Sequence, residues 1–155
     1  MMNMTNQFEV RQATIDDLDG LAEIFNDYRV FYGQTPNLEQ ARLFLFERFE
    51  HLESIVFIAK DQNTDRIVGF TQLYPVFSSI SMRRSLILND LYVNEQYRKQ
   101  GIASMLLDEA QSYAKSIKAK GLELSTAITN EQAQRLYERY GYVKDEEFYH
   151  YYLNI

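Results

Sequence analysis

Leu86-Ile87-Leu88-Asn89-Asp90-Leu91-Tyr92-Val93 reads as a strand, and helical spacing runs from about Gly101 to Lys118. A second apolar run, Leu122 to Ala127, follows. Two strands separated by a helix are expected to be parallel neighbours, which commits this part of the chain to a crossover unit. The junction is the run Arg98-Lys99-Gln100-Gly101-Ile102-Ala103, continuing into Ser104. A strand-to-helix loop leaves backbone N–H groups unpaired at the helix start. The helix dipole adds partial positive charge there. Gly101 lets an anion approach the backbone, Ala103 is nearly as small, and Arg98 brings a planar donor fork. Such a loop suits a pyrophosphate. Taken alone, the six residues are equally an ordinary solvated helix start.

Other phosphate loops do not fit. The run lacks the longer Gly-rich stretch ending in Lys-Ser or Lys-Thr, and it is not Gly-x-Gly-x-x-Gly. With no cysteine there is no disulfide framework, thiolate metal site or Cys acyl-enzyme. The two histidines, His51 and His150, have no partner spacing for a Ser-His-Asp triad or a metal centre. No metal is expected. A net charge of −6 makes nucleic acid a poor partner and, beyond solubility, would favour a cationic small molecule or basic peptide. No apolar run is long enough to span a bilayer, and residues 1–7 have no signal-peptide pattern. Residues 1–7 are expected to be a disordered leader, residues 8–155 one domain, and the location cytoplasmic.

The rest of the chain supplies a core. Phe8 to Gln12 alternates as a strand, and Thr14-x-x-Asp17 opens a helix carrying Leu18, Leu21, Ala22, Phe25 and Tyr28. Thr35-Pro36 marks a second helix start, running to about Leu52. Ile55 to Ala59 and Arg66 to Tyr74 read as a hairpin, with Pro75 ending the second strand or marking a bulge. Ser78 to Arg84 reads as a polar loop or ragged strand edge. Lys120-Gly121 reads as the C-cap of the long helix. Asn130 to Gly141 is a last helix, and Phe148 to Ile155 alternates as a final strand. A short strand at Tyr142–Lys144 is a further option. The order β-α-α-β-β-β-α-β-α-β implies an α/β or α+β mixed sheet with helices on both faces.

At this point the chain resembles the GNAT family of N-acetyltransferases, over nearly its whole length in element order. Arg98-x-x-Gly101-x-Ala103 matches the family's acetyl-CoA signature, (Gln/Arg)-x-x-Gly-x-(Gly/Ala). Asn130-x-x-Ala133-x-x-Leu136-Tyr137-x-x-Tyr140-Gly141-Tyr142 resembles its second motif. The acidic strand around Asn89-Asp90, with Phe31-Tyr32, looks closest to the branch of polyamine and histone acetyltransferases. The resemblance implies a mostly antiparallel twisted sheet with a central, splayed parallel strand pair.

It also implies acetyl-CoA as cosubstrate, held by Leu91, Tyr92, Val93, Arg98, Lys99, Gln100, Gly101, Ile102, Ala103, Ser104, Asn130 and Tyr137. A main-chain N–H of the strand ending at Val93 would steady the thioester oxygen. N–H and C=O groups around Leu91 and Val93 would pair with the pantetheine arm. Tyr137 would protonate the departing thiolate; as an ordinary residue it is a core aromatic. Asn130 would bond the pantetheine, cap its helix, or do both.

The implied reaction is direct attack of an amine on the thioester in a ternary complex. Presenting an alkylammonium as the neutral nucleophile at pH 7 costs about 4–5 kcal/mol, so a group must take or relay its proton. Asp90 is the best-placed carboxylate; otherwise it is a strand carboxylate bonded to a neighbouring loop. Asn89 is expected on the opposite strand face. Tyr28, Phe31 and Tyr32 are candidates for the acceptor site, together with Asn89 and Asp90. Phe77 and the loop before Phe148 are further candidates, and Asp145, Glu146 and Glu147 would draw a polycation. The same rings are otherwise core. Arg83-Arg84 would hold an adenosine phosphate or substrate carboxylate, or be a solvated pair.

The acceptor is expected to be a small amine or polyamine. The alternatives are a protein lysine or N-terminus, and a CoA-binding regulatory domain without turnover. The Tyr-rich tail Phe148-Tyr149-His150-Tyr151-Tyr152 suits a homodimer.

Overall fold

Among the described residues five strands and four α-helices follow one another as β1 (Phe8–Gln12), α1 (Leu18–Phe31), α2 (Leu38–Glu50), β2 (Ile55–Asp61), β3 (Arg66–Ser78), β4 (Arg83–Val93), α3 (Ile102–Ser116), β5 (Leu122–Glu123) and α4 (Glu131–Arg139). The computed structural model describes residues 7–155. Most of the expected leader lies outside the described residues; at its end the Gln7 carbonyl accepts the Gln62 N–H at 2.9 Å. The chain divides into two compact units, the first ending at Leu124 and the second spanning Ser125–Ile155.

In the first unit the sheet order is β1-β2-β3-β4-β5. All pairs are antiparallel except β4 and β5, which run parallel as the intervening helix requires. The fold class is therefore the expected α/β one, with helices on both faces. On one face Leu18, Leu21, Ala22, Ile24 and Phe25 of α1 and Ala41 and Leu45 of α2 pack with Val56, Ile58, Phe70 and Tyr92. On the other, Tyr113 of α3 meets Phe57, with ring centroids 5.9 Å apart. Gly69 lets α3 come close: a Cβ there would lie 3.1 Å from Ile102 Cγ2 and 3.3 Å from the Tyr92 carbonyl oxygen. The first turn of α3 is thus pressed against β3.

Several elements differ from the sequence reading. β3 runs through Pro75 to Ser78. β2 begins opposite Leu73, so beyond it β3 is paired on one side only, and a missing donor can face the open edge. The irregularity comes earlier: Gln72 pairs with Asp90 and Leu73 with Leu88, leaving Asn89 as the extra residue of a bulge in β4. α2 is capped by Asn37, whose side chain accepts from the Gln40 N–H, so Pro36 precedes the helix. α3 ends at Ser116, and Lys118, not Gly121, takes the left-handed conformation there. Gly121 instead accepts the Leu86 N–H at 3.1 Å, joining β5 to β4.

In the second unit α4 carries the expected Asn130 cap and left-handed Gly141. The strands expected at Tyr142–Lys144 and Phe148–Ile155 are not formed, and β5 stops at Glu123. Alternation of aromatics gives β propensity, but a strand exists only where its main chain pairs. Among the described residues, 148–155 pair with no strand.

The entry to α1 is the capping box read from sequence. Asp17 Oδ2 accepts the Thr14 N–H at 2.8 Å, and Arg11 grips both carboxylate oxygens at 2.8 Å. Chiefly that hydrogen-bonded guanidinium lowers the Asp17 carboxyl from 3.8 to about 2. A carboxyl depressed in the folded state contributes stability above about pH 4 and loses it as pH falls towards 2. Asp17→Asn is therefore expected to melt below the wild type at pH 6, with the gap closing between pH 4 and pH 2 in calorimetric scans. A gap independent of pH would remove the ion pair as its cause.

Candidate active site

β4 carries the site because its two edges differ. The Asn94 N–H donates to the Val68 carbonyl at 2.8 Å, so main-chain groups at Asn94 and Tyr92 face β3. By alternation those of Leu91 and Val93 face the other edge. There β5 pairs only with Leu86 and Ile87, and among the described residues no strand pairs on that edge with Leu88–Val93. Leu91 and Val93 thus lie on a stretch of edge open to an extended ligand. The Val93 carbonyl accepts Arg98 Nε at 3.1 Å.

The chain then makes a 3₁₀ turn at Glu95–Tyr97, tied down by the Tyr97 hydroxyl donating to Asp61 Oδ2 at 3.0 Å. Lys99 (φ 63°) and Gly101 (φ 81°) are both left-handed. For lysine that geometry costs on the order of 1 kcal/mol, and strain of this kind concentrates at functional loops. α3 starts at Ile102 with no side-chain cap and no acidic residue in its first turn. Its first main-chain bond runs from Met105 to Gly101 at 3.1 Å, so the N–H groups of Gly101, Ile102 and Ala103 have no acceptor within the helix. Gln100 is exposed and Ser104 lies in the same turn. Ile102 buries its side chain in the core, so it has only its main chain to offer a ligand.

Arg98 does more than supply charge. Its guanidinium lies 4.8 Å from the centroid of the Phe31 ring and 5.7 Å from that of Tyr92. The anion loop and the aromatic cluster are therefore joined. Tyr32 meets both Tyr28 and Phe31, and Tyr28 and Phe31 each meet Tyr92, with ring centroids 5.1–5.8 Å apart. Phe31 and Tyr32 are 48% and 58% exposed, and so are available to a ligand.

Asp90 is 5% exposed and sits among donors. Gln72 Nε2 donates to its Oδ2 at 2.9 Å, Asn89 Nδ2 to its Oδ1 at 3.2 Å, and the Tyr28 hydroxyl also bonds it. The Thr71 hydroxyl holds the Asp90 main-chain carbonyl at 2.8 Å. Asn89 is thus not turned away from Asp90: the bulge interrupts strict alternation. Burial first, then the nearby Asp90 charge, pushes the Tyr28 phenol far up and that of Tyr74 up to about 12. Both stay protonated at neutral pH. Gln72, Thr71 and Tyr74 were missed in sequence reasoning. Their one signal is a pair of polar residues inside the apolar run Val68–Leu73.

Other candidates fall elsewhere. Phe77 stacks on Arg84 at 5.4 Å, opposite it in the β3–β4 ladder and five residues along from Gln72. That is roughly 17 Å of strand. Arg83 donates to the Lys118 and Ala119 carbonyls, capping the far end of α3, roughly 22 Å of helix from Gly101. Neither position suits the roles expected of Phe77 and Arg83. In the second unit Asn130 Oδ1 accepts the Ala133 N–H at 3.2 Å, and Tyr137 packs edge-on to Tyr142 at 5.8 Å. Asp145 takes the Glu147 N–H at 2.9 Å in an exposed turn. Among the described residues no three His, Cys, Asp or Glu side chains gather as a metal site, and no helix is long and apolar enough to cross a membrane.

Comparison with known proteins agrees with this geometry. The model of the acetyltransferase (GNAT) family matches residues 18–142. An uncharacterised N-acetyltransferase of Bacillus subtilis, YhfO, is 45% identical over 146 residues, covering 94% of this chain and 97% of its own. The crystal structure of a probable acetyltransferase superposes with a TM-score of 0.90 at 44% identity, covering 95% of this chain and 97% of that one. A predicted acetyltransferase from Clostridium acetobutylicum, crystallised with acetyl-CoA, shares the fold at 18% identity (TM-score 0.75, covering 94% and 96%). With the uncapped helix start, the open strand edge and the family match in agreement, the chain belongs to the GNAT acetyltransferase family and is an N-acetyltransferase.

Proposed function

We propose that the protein transfers the acetyl group of acetyl-CoA to a primary amine of a small molecule or polyamine in the cytoplasm, by direct attack in a ternary complex. One juxtaposition carries this reading: the uncapped start of α3, the open edge of β4 and the Asp90 cluster occur within one short stretch of the first unit. The diphosphate lies against the N–H groups of Gly101 to Ser104, with Lys99 and Arg98 adding positive charge. The pantetheine extends along Leu91–Val93 as an added strand would. Family membership supports the cosubstrate, because these enzymes use acetyl-CoA. The match spans both units, which supports reading them as one catalytic domain.

The acceptor's ammonium group is drawn by Asp90 and by the faces of Tyr28, Phe31 and Tyr32. It loses one proton to Asp90. The amine nitrogen bonds the acetyl carbon and the carbon–sulfur bond breaks. Tyr137 protonates the sulfur, and the second proton lost by nitrogen passes through solvent to restore the Tyr137 phenol. The exposed aromatic tail at 148–153 is the surface through which two copies pair. Light scattering at micromolar concentration checks this, and a monomer would refute it.

Two substitutions test the chemistry. Ala103→Glu places a carboxylate where the diphosphate binds, yet acidic side chains favour a helix N-terminus. The variant is expected to keep its melting temperature while KM for acetyl-CoA rises at least tenfold. An unchanged KM would put the nucleotide elsewhere. Tyr137→Phe is expected to lower kcat at least tenfold with acetyl-CoA affinity nearly unchanged, measured by thiol release and calorimetry. Full activity at every pH would show that Tyr137 is not the acid.

A further inference from the structure

Gln72 is completely buried in the middle of β3. One end of its amide is used, since Nε2 donates to Asp90 Oδ2 at 2.9 Å. The other end is not: Oε1 is buried without a donor. Leaving a buried amide oxygen unpaired is destabilising, and a methionine would fill the same space without that cost. Packing alone therefore gives no reason for an amide here.

Its partner supplies one. A carboxylate needs a donor, whereas a carboxylic acid turns an O–H outward and needs an acceptor. A primary amide offers both on a half-turn about its last side-chain bond. Usually that turn breaks a bond at the opposite end; at Gln72 no bond is there to break.

We infer that Gln72 is a positioning residue for acetyl transfer, donating to the Asp90 carboxylate before the reaction and turning to accept from the Asp90 carboxylic acid once the proton has arrived. This rests on Asp90 being the proton acceptor. The neighbours leave the task to Gln72. Asn89 of β4 reaches the other carboxylate oxygen at 3.2 Å. Tyr28 from α1 and Tyr74 from β3 keep their phenol protons through the neutral range. Arg48 from α2, permanently charged, acts on Tyr74 and has its guanidinium over the Phe44 ring at 4.5 Å. Thr71 is occupied with the Asp90 main chain.

The test combines kinetics with a measurement on the unmodified chain. Gln72→Met removes donor and acceptor at nearly constant volume. It is expected to move the acid limb of kcat/KM up by about one pH unit and to lower kcat about tenfold. KM for acetyl-CoA should not change, whereas general loosening of the sheet would move it. In the wild type labelled with ¹⁵N-glutamine, the Gln72 side-chain amide signal (the one missing in Gln72→Met) is expected to shift with the same apparent pKa as that acid limb. The shift should vanish in Asp90→Asn. An amide signal indifferent to pH across the acid limb overturns the inference even if Gln72→Met fails to fold. Asp90→Asn without activity, beside Gln72→Met with wild-type rate and pH profile, overturns the role of Gln72 alone. Asp90→Asn at wild-type rate overturns the reading of Asp90 and this inference with it.

Discussion

β4 is hydrogen-bonded to β3 along nearly its whole length and to β5 over two residues only. That inequality organises the first unit. The β3 ladder fixes the strand firmly enough for its other edge to remain open from Leu88 onward. An open edge in a buried sheet is normally a liability, because unpaired main-chain groups recruit whatever strand is near. Here the edge leads directly into the turn and left-handed loop that start α3. The two main-chain surfaces, one strand-like and one helix-terminal, are continuous along the chain. A ligand with an extended amide arm and a diphosphate matches both with the same stretch of backbone.

The bulge at Asn89 does the second part of the work. With one residue more in β4 than in β3, Asp90 is brought level with Gln72, and the Asn89 amide reaches the Asp90 carboxylate instead of pointing away from it. The carboxylate is then buried and held by uncharged amide donors. Arg98 links this cluster to the loop. Its Nε holds the end of β4 while its guanidinium lies on Phe31 and Tyr92. Loss of that side chain would affect the strand end, the loop and the aromatic wall together.

Much of this was readable in the residues. Thr14-x-x-Asp17 gave the capped turn that leads into α1, because a capping box is a local interaction, complete within four residues. The strand, loop and helix from Leu86 to Lys118 were visible because each has its own period and the glycine between them is needed for a positive φ. The parallel pairing of β4 and β5 followed from chain connectivity. Pro75, by contrast, is tolerated because of where β2 begins, and α3 ends at the Ile117 cap and left-handed Lys118 because the following residues turn back to pair with Arg84 and Leu86.

Sequence alone therefore determined the order of most elements, the helix starts and the glycine loop before α3, since propensity, capping and glycine geometry act over a few neighbouring residues. Tertiary structure decided the bulge, the partners of Asp90, the contact of Arg98 with Phe31 and the absence of a strand at 148–155. Each of these depends on which backbone or ring from a distant part of the chain arrives alongside. A register shift of one residue, invisible in composition or periodicity, was enough to settle which face Asp90 presents.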